Sequence, residues 1–543
     1  MSTRTRHLVV VGNGMAGARL VEEVAARDTE RRWQTTVVGD EPTEAYNRVL
    51  LSGVLAGTHR EDDLALAPPG AWEGSTVRVV TGTRVARVHR STRTVHLADG
   101  SHLPYDRLVL ATGSAPVLPP LPGLLRHDPT DPDRGASLHP QATAFRTLDD
   151  CRRLVAATAT ARRAVVVGGG LLGLEAARGL AARGLSVEVV QMPDRLMDGQ
   201  LDGPAATMLR RRLAGLGITA YLGTRATQVL TGHGTDRLVG VRLADGHVLE
   251  CDLLVFAVGV RPSTRLAREA RLTTARGVVV DRTLTSPDDP AVSAVGDCAE
   301  VLDPDGGSTV GGLVQPAWEQ AAALATTLTA APDDPPTTWQ PRGSVTRLKA
   351  GGIDLASMGE VRPAPEDSDG DLEVLAWTDP SRGVYAKAVL RGGRVVGGIL
   401  LGDLGSVGAL TLAFDRGSPV PPDRRHLLFG SGPAGPAGAG GAAGTAGDAA
   451  SLPDDATVCH CNAVDAGAVR AAAAAGARDV AAVAACTRAT TGCGSCAGTV
   501  SALVAALPPA LPPALPPAPG PVPAPAGPTV APAPPAQHEE ISA

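Results

Sequence analysis

With 543 residues, 43% of them hydrophobic, the chain has material for three or four domains, each with its own core. Aromatic residues are only 2%, so those cores must be built from Val, Leu and Ala. A net charge of −6 with no basic stripe gives no nucleic-acid partner, and eight cysteines are too few for a disulfide scaffold.

The N-terminus is basic but runs straight into a strand at 8–11, without the apolar stretch and small-residue cleavage site of a signal peptide. No apolar run reaches the roughly 18–20 residues of a membrane span; residues 395–414 come nearest, interrupted by Gly and Asp403. The expectation is a cytoplasmic chain with no membrane partner.

After the first strand comes Gly12-Asn-Gly14-Met-Ala-Gly17, opening a helix. In that context the first glycine makes the tight turn, the second admits a pyrophosphate, and the third lets helix and strand pack closely. The helix N-terminus offers free N–H groups to the phosphate. The second strand, 35–38, ends at Gly39 where a ribose-binding acid often falls, so Asp40 or Glu41 must serve. An apolar strand then ends in the turn at Gly113.

The arrangement repeats at Gly168-Gly-Gly170-Leu-Leu-Gly173, with Glu175 in the first helical turn. Its second strand ends in Gln191, neither the acid that favours NADH nor the Arg cluster that favours NADPH, so the choice of nicotinamide stays open. A matching late strand closes this unit at Gly259. Further on, Gly296-Asp297 at a strand end can place a carboxylate on ribityl or ribose hydroxyls. The helix starting near Gln315 suits negative charge on a reduced flavin, and Trp318 lies against that ring or in the core.

Residues 340–430 read as a separate α+β domain, and 430–447 are Gly, Ala, Pro and Ser in linker proportion. Cys459-His-Cys461 and Cys493-Gly-Ser-Cys496 then pair four thiols across 31 residues. Zinc pairs are usually spaced by two to four residues, so the tight first pair argues against zinc. Four cysteines suit a [2Fe–2S] cluster. Cys151, Cys251, Cys298 and Cys486 read as small core residues. Beyond residue 507 the chain is Pro and Ala, an extended disordered tail.

Taken together, Gly12 to Gly17, residues 46–52, Ala111-Thr112-Gly113, Gly168 to Glu175 and Gly296-Asp297 resemble the pyridine-nucleotide-disulfide oxidoreductase superfamily. Within it, residues 195–202 and 348–358 resemble the flavoprotein part of assimilatory NAD(P)H-nitrite reductase and the electron-transfer subunit of assimilatory nitrate reductase. Residues 487–496 resemble the [2Fe–2S] domain of bacterioferritin-associated ferredoxin. The resemblance implies FAD along Gly12 to Gly17, with Glu41, Arg48, Thr112 and Asp297 among its contacts. It places NADH or NADPH on Gly168 to Gly173, near Glu175 and Gly259. No cysteine lies between Asp40 and Gly57, where flavin disulfide reductases keep theirs, so thiol chemistry at the flavin is not expected.

The expected architecture is α/β: two Rossmann-like dinucleotide-binding domains (FAD at 1–120 and 256–335, NAD(P) at 121–255) and an α+β interface domain at 336–430. A linker at 431–455, a helical [2Fe–2S] domain at 456–500 and a tail at 501–543 follow. The expected function is an FAD-dependent NAD(P)H oxidoreductase passing electrons through the cluster to a separate nitrate or nitrite reductase catalytic subunit or another redox protein. A general ferredoxin or rubredoxin reductase and a redox-sensing interaction protein are the alternatives.

Overall fold

Strand Arg6–Val11 is buried from Leu8 to Val11, in a core that it shares with helix Met15–Arg27 and with the three-stranded sheet of Val85–His89, Thr94–Leu97 and His102–Pro104, so the strand reads as an unbroken apolar run. It pairs in parallel with Trp33–Val38 on one side and Arg107–Leu110 on the other. The sheet has six strands, in the order Thr285–Ser286, Asp289–Ala294, Arg107–Leu110, Arg6–Val11, Trp33–Val38, Val77–Val80. Helix Met15–Arg27 follows the first strand and packs along helix Val314–Thr329, which returns from the far end of this half of the chain.

The second unit repeats the plan with five parallel strands, in the order Ala142–Ala144, Leu253–Phe256, Arg163–Val167, Ser186–Gln191, Ile218–Leu222. Its last strand runs to Phe256, so the chain returns to the first unit only after that residue. Both passages between the units cross together, as Ser114–Pro116 pairs antiparallel with Val260–Pro262. That crossing fixes the two Gly-loops relative to each other.

A five-stranded antiparallel sheet follows, in the order Val345–Ala350, Ile353–Gly359, Arg394–Leu401, Val384–Arg391, Leu372–Asp379, with helix Val407–Arg416 against it. It is pinned to the second unit by a buried ion pair, Lys387 Nζ to Asp202 at 2.8 Å. The last module joins the short hairpin Thr457–Cys459 and Val464–Asp465 to helices Ala466–Ala474, Val480–Thr487 and Ala497–Ala505. Asp465 and Asp479 cap the first two of these helices by accepting from Ala468 N and Ala482 N.

The cores are Val, Leu and Ala throughout; Trp33, Trp318, Phe145 and Phe256 are the aromatic rings that are almost fully buried. Each buried Val or Leu contributes about 1.5–3 kcal/mol relative to exposure. The computed structural model describes residues 5–68, 70–126, 137–331, 333–341, 343–429, 452–459, 462–491, 494, 496–506 and 533. Residues 501–505, expected in the disordered tail, belong instead to helix Ala497–Ala505 of the cysteine module; most of the expected linker, and the tail beyond Ala506 apart from Ala533, lie outside the described residues, as do Cys461 and Cys493. Residues up to Ala506 form one unit and Leu507–Ala543 another. No helix among the described residues is long and apolar enough to cross a membrane.

Candidate functional site

The two Gly-loops use their glycines in the same way. Gly12 has φ 115° and Gly168 φ 118°, and a Cβ on either would overlap the carbonyl of Ala111 or Ala257 on the neighbouring strand. A Cβ on Gly17 or Gly173 would strike the carbonyl of Gly12 or Gly168. Gly14 and Gly170, in contrast, face open space at the N-termini of helices Met15–Arg27 and Leu171–Ala182. Outer glycines thus serve the fold, and the middle ones leave room for a phosphate.

A cavity of about 930 Å³ opens from the first loop. Of the residues singled out in the sequence, Gly12, Gly14, Asp40, Glu41, Arg48, Thr112, Gly113, Glu175 and Asp297 line it. Glu41 accepts from Tyr46 Oη at 2.7 Å and from Arg48. Asp297 accepts from Ser114 Oγ and Arg146, each at 2.7 Å. Arg48 also donates to the Arg146 carbonyl at 3.4 Å, so the two carboxylates belong to one network. Tyr46 Oη accepts from Leu148 N at 2.9 Å, and burial, first of all, pushes its phenol pKa up so that it stays a donor to Glu41. Thr112 Oγ1 donates to the Ser263 carbonyl at 2.9 Å and steadies the turn at Gly113.

Tyr46, Ser114 and Arg146 were not singled out in the sequence. Only the apparent strand at 105–113 and the segment at 46–52 hinted at their neighbourhood. Arg146 Nε and Asn13 Nδ2 are buried, belong to residues that line the same cavity, and have no hydrogen-bond partner among the described residues. Unpaired buried donors beside an open cradle fit an acceptor-rich ligand such as a dinucleotide.

Four expected ligand residues stand differently. Gln191 turns inward: its Oε1 accepts from Gly169 N at 2.6 Å and its Nε2 points to the Arg195 carbonyl and Asp198 at 3.4 Å, so it braces the second loop. Trp318 is 1% exposed and does not line the cavity; its Nε1 donates to the Met15 carbonyl at 3.1 Å, and the ring packs in the core. Val314 and Gln315, ahead of it on the same helix, line the cavity instead. Gly259 and Gly296 hold positive φ, 108° and 76°, and serve the turns after their strands.

Cys459 and Cys496 are buried and line that same cavity. A thiol donor set of this kind fits an iron–sulfur centre. Among the remaining cysteines, burial pushes Cys151 up to about 11, Cys251 to about 12, and Cys298 upward, so all three are inert core residues. Cys486 departs from the expectation: it lies on the outer face of helix Val480–Thr487 and is exposed.

Comparison with known proteins gives three matching segments. Residues 6–321 match the family described as pyridine nucleotide-disulphide oxidoreductase. Residues 345–416 match the rubredoxin NAD+ reductase C-terminal domain, and 457–506 a BFD-like [2Fe-2S] binding domain. A nitrite reductase [NAD(P)H] of Bacillus subtilis is 34% identical over 497 residues, covering 90% of this chain and 56% of that one. The assimilatory nitrate reductase electron transfer subunit of the same organism is 32% identical, covering 91% and 58%. The chain thus spans little more than half of these relatives. Among solved structures, a ferredoxin reductase from Rhodopseudomonas palustris is 26% identical with a TM-score of 0.66, covering 77% of this chain and 96% of that one. The putidaredoxin reductase–putidaredoxin complex, at 24% and a TM-score of 0.67, shares the fold over 79% of this chain and 97% of its own.

Proposed function

Because the chain belongs to the pyridine nucleotide-disulphide oxidoreductase family, we propose that it is the electron-supplying component of assimilatory nitrate or nitrite reduction. It is an FAD-dependent NAD(P)H oxidoreductase with a [2Fe–2S] domain. FAD takes up a hydride from reduced nicotinamide and gives electrons up singly, and a [2Fe–2S] cluster carries one electron at a time.

The chain's own residues prepare that chemistry. Glu41, fixed by Tyr46 and Arg48, and Asp297, fixed by Ser114 and Arg146, are the carboxylates we assign to ribose and ribityl hydroxyls. Gly12, Gly14 and the start of helix Met15–Arg27 receive the FAD pyrophosphate. Gly168, Gly170 and Gly173 would do so for NADH or NADPH, and Leu171, Leu172 and Glu175, on the helix that follows, line the shared cavity. Cys459, Cys461, Cys493 and Cys496 are assigned to the cluster. The domain limits we propose follow the sheets, with the second dinucleotide unit closing at Phe256 and the cluster module at Ala505. The acceptor is a nitrate or nitrite reductase catalytic subunit or another redox protein, met in the cytoplasm where reduced nicotinamide is available.

One observation carries the relay: cluster-ligand thiols and flavin-cradle residues line a single cavity. Anaerobic titration with NADH and then NADPH, followed by absorbance and EPR, tests it. Flavin bleaching with a reduced [2Fe–2S] signal that Cys496→Ser abolishes supports the relay; bleaching with no such signal in the parent protein refutes it. The match of residues 345–416 favours a second reading, a general rubredoxin or ferredoxin reductase. Faster reduction of those carriers than of a nitrate or nitrite reductase would favour that reading.

A further inference from the structure

The module that carries the cysteines must be held against the first dinucleotide unit for such a relay to work. Three non-glycine residues of that module adopt left-handed backbone: Ala463 (φ 49°), Arg488 (φ 63°) and Thr490 (φ 71°). Glycine would suit this region better at each. Two of the three reach outward to the neighbouring unit.

Ala463 packs against the cluster of Met15, Ala18, Leu66 and Trp318, at the start of helix Met15–Arg27. Arg488, the left-handed cap of helix Val480–Thr487, sends its guanidinium to Glu22 on that same helix. The contact is bidentate, at 2.6 and 3.0 Å, between residues 466 apart in sequence. Its side chains are 30% and 19% exposed, sheltered enough to escape much of the screening that weakens surface pairs.

Asn462 ties the two contacts together. Its Nδ2 donates to the Arg488 carbonyl at 2.6 Å, to Thr491 Oγ1 at 3.1 Å and to Cys459 Sγ at 3.7 Å. The loop before Ala463, the loop at Arg488 and a cluster-ligand thiol are therefore one braced assembly. On the facing helix Arg19 lies 5.1 Å from the Trp318 ring and pairs with Glu23 at 2.6 Å. Burial holds the Arg19 pKa down, Glu22 opposes this and Arg488 adds to it, so three charges share one field. In this arrangement Cys459 is 1% and Cys496 6% exposed.

We propose that the Arg488–Glu22 pair is an electrostatic latch, with Ala463 as its apolar footing, that docks the cluster module on helix Met15–Arg27 and must open before the module meets its acceptor. The idea rests on the relay reading above for its purpose, but the docking is measurable by itself.

The test uses the full-length holoprotein with Glu22→Arg, Arg488→Glu and the double exchange. Equal flavin absorbance in all of them checks that the first unit is intact, since neither residue touches the cradle. Hydrogen exchange of the amides at 15–24 and 314–321 reads docking directly. Each single variant should raise exchange there by ~10-fold or more, a factor equivalent to 1.4 kcal/mol, and the double exchange should restore protection. Arg488→Lys, which keeps charge but loses the fork, should fall between. Singles with parental exchange, or a double variant that stays open, would overturn the latch. A second readout is the EPR-detected rate of cluster reduction in one turnover, expected to fall in the singles and recover in the double. Restored protection without any cluster reduction, in parent and double variant alike, would sustain the latch and remove the relay.

Discussion

Lys387→Met removes one partner of a charge pair at the joint between the antiparallel sheet and the second dinucleotide unit. Lys387 is 1% exposed, and its ammonium donates to Asp202 at 2.8 Å and to the Val361 carbonyl at 2.7 Å. Asp202 is also buried, accepts from Tyr385 Oη at 2.6 Å, and caps helix Gly203–Gly215 by accepting from Ala205 N at 3.1 Å. Without the lysine a buried carboxylate keeps two donors but loses its counter-charge, which costs about 3–5 kcal/mol. For a unit of some 500 residues the entropy of unfolding is roughly 1 kcal/mol per degree, so the calorimetric midpoint should drop by about 3–5 °C. The second variant, Lys387→Met with Asp202→Asn, tests the cause. Asn still caps the helix through its one amide oxygen, its NH2 can donate to the Tyr385 hydroxyl in place of the second carboxylate oxygen, and no charge is left buried, so most of the loss should return. A double variant as unstable as the single would refute the uncompensated-charge argument and point to lost packing alone.

Three further outcomes follow from named geometry. Gly14→Ala should leave the melting midpoint nearly unchanged yet purify without flavin colour, because its Cβ meets open protein space where the pyrophosphate belongs; Gly17→Ala, whose Cβ strikes the Gly12 carbonyl, should lose both flavin and about 1–3 kcal/mol of stability. Asn462→Ala deletes an N–H donor to Cys459 Sγ, and since such bonds favour the reduced, more negative cluster, its EPR-monitored midpoint should fall by roughly 20–60 mV, the one-electron equivalent of about 0.5–1.5 kcal/mol. His139 accepts at Nδ1 from Gln141 N and donates from Nε2 to the Asp236 carbonyl, so the neutral ring is satisfied. Burial lowers its pKa, against the pull of the Asp236 carbonyl. The unfolded chain therefore takes up the proton first: stability should be full above about pH 6.5 and decline as pH falls below it, and His139→Gln should flatten that decline in urea titrations.

The parts of the site that were legible in the sequence are those that answer to backbone geometry. Gly12, Gly17, Gly168 and Gly173 are required by carbonyls a few residues away or on the adjacent strand, and strand–turn–helix order is enough to announce them. Glu41 and Asp297 were legible for a similar reason, each following the end of a strand in the sheet. What escaped is what the crossing of Ser114–Pro116 with Val260–Pro262 creates. Arg146 meets Asp297 across 151 positions, and no local pattern distinguishes it from the other arginines of so arginine-rich a chain.

Trp318 shows the converse error. The first turn of its helix lines the cavity, but the side chain four residues into that helix points by helical geometry to the packed face shared with Met15. Gln191 was weighed as a ribose ligand because of its position at the strand end, and it answers a different need. An acid at that position could not accept from Gly169 N and also donate toward Arg195 and Asp198, whereas an amide does both. The same residue that leaves the nicotinamide preference unmarked thus braces the loop that must receive it. Specificity between NADH and NADPH therefore has to come from side chains beyond the strand end, such as Arg195, which follows Gln191 closely in sequence, is ion-paired to Asp194 and is 42% exposed at its side chain, a cation able to turn toward a 2′-phosphate.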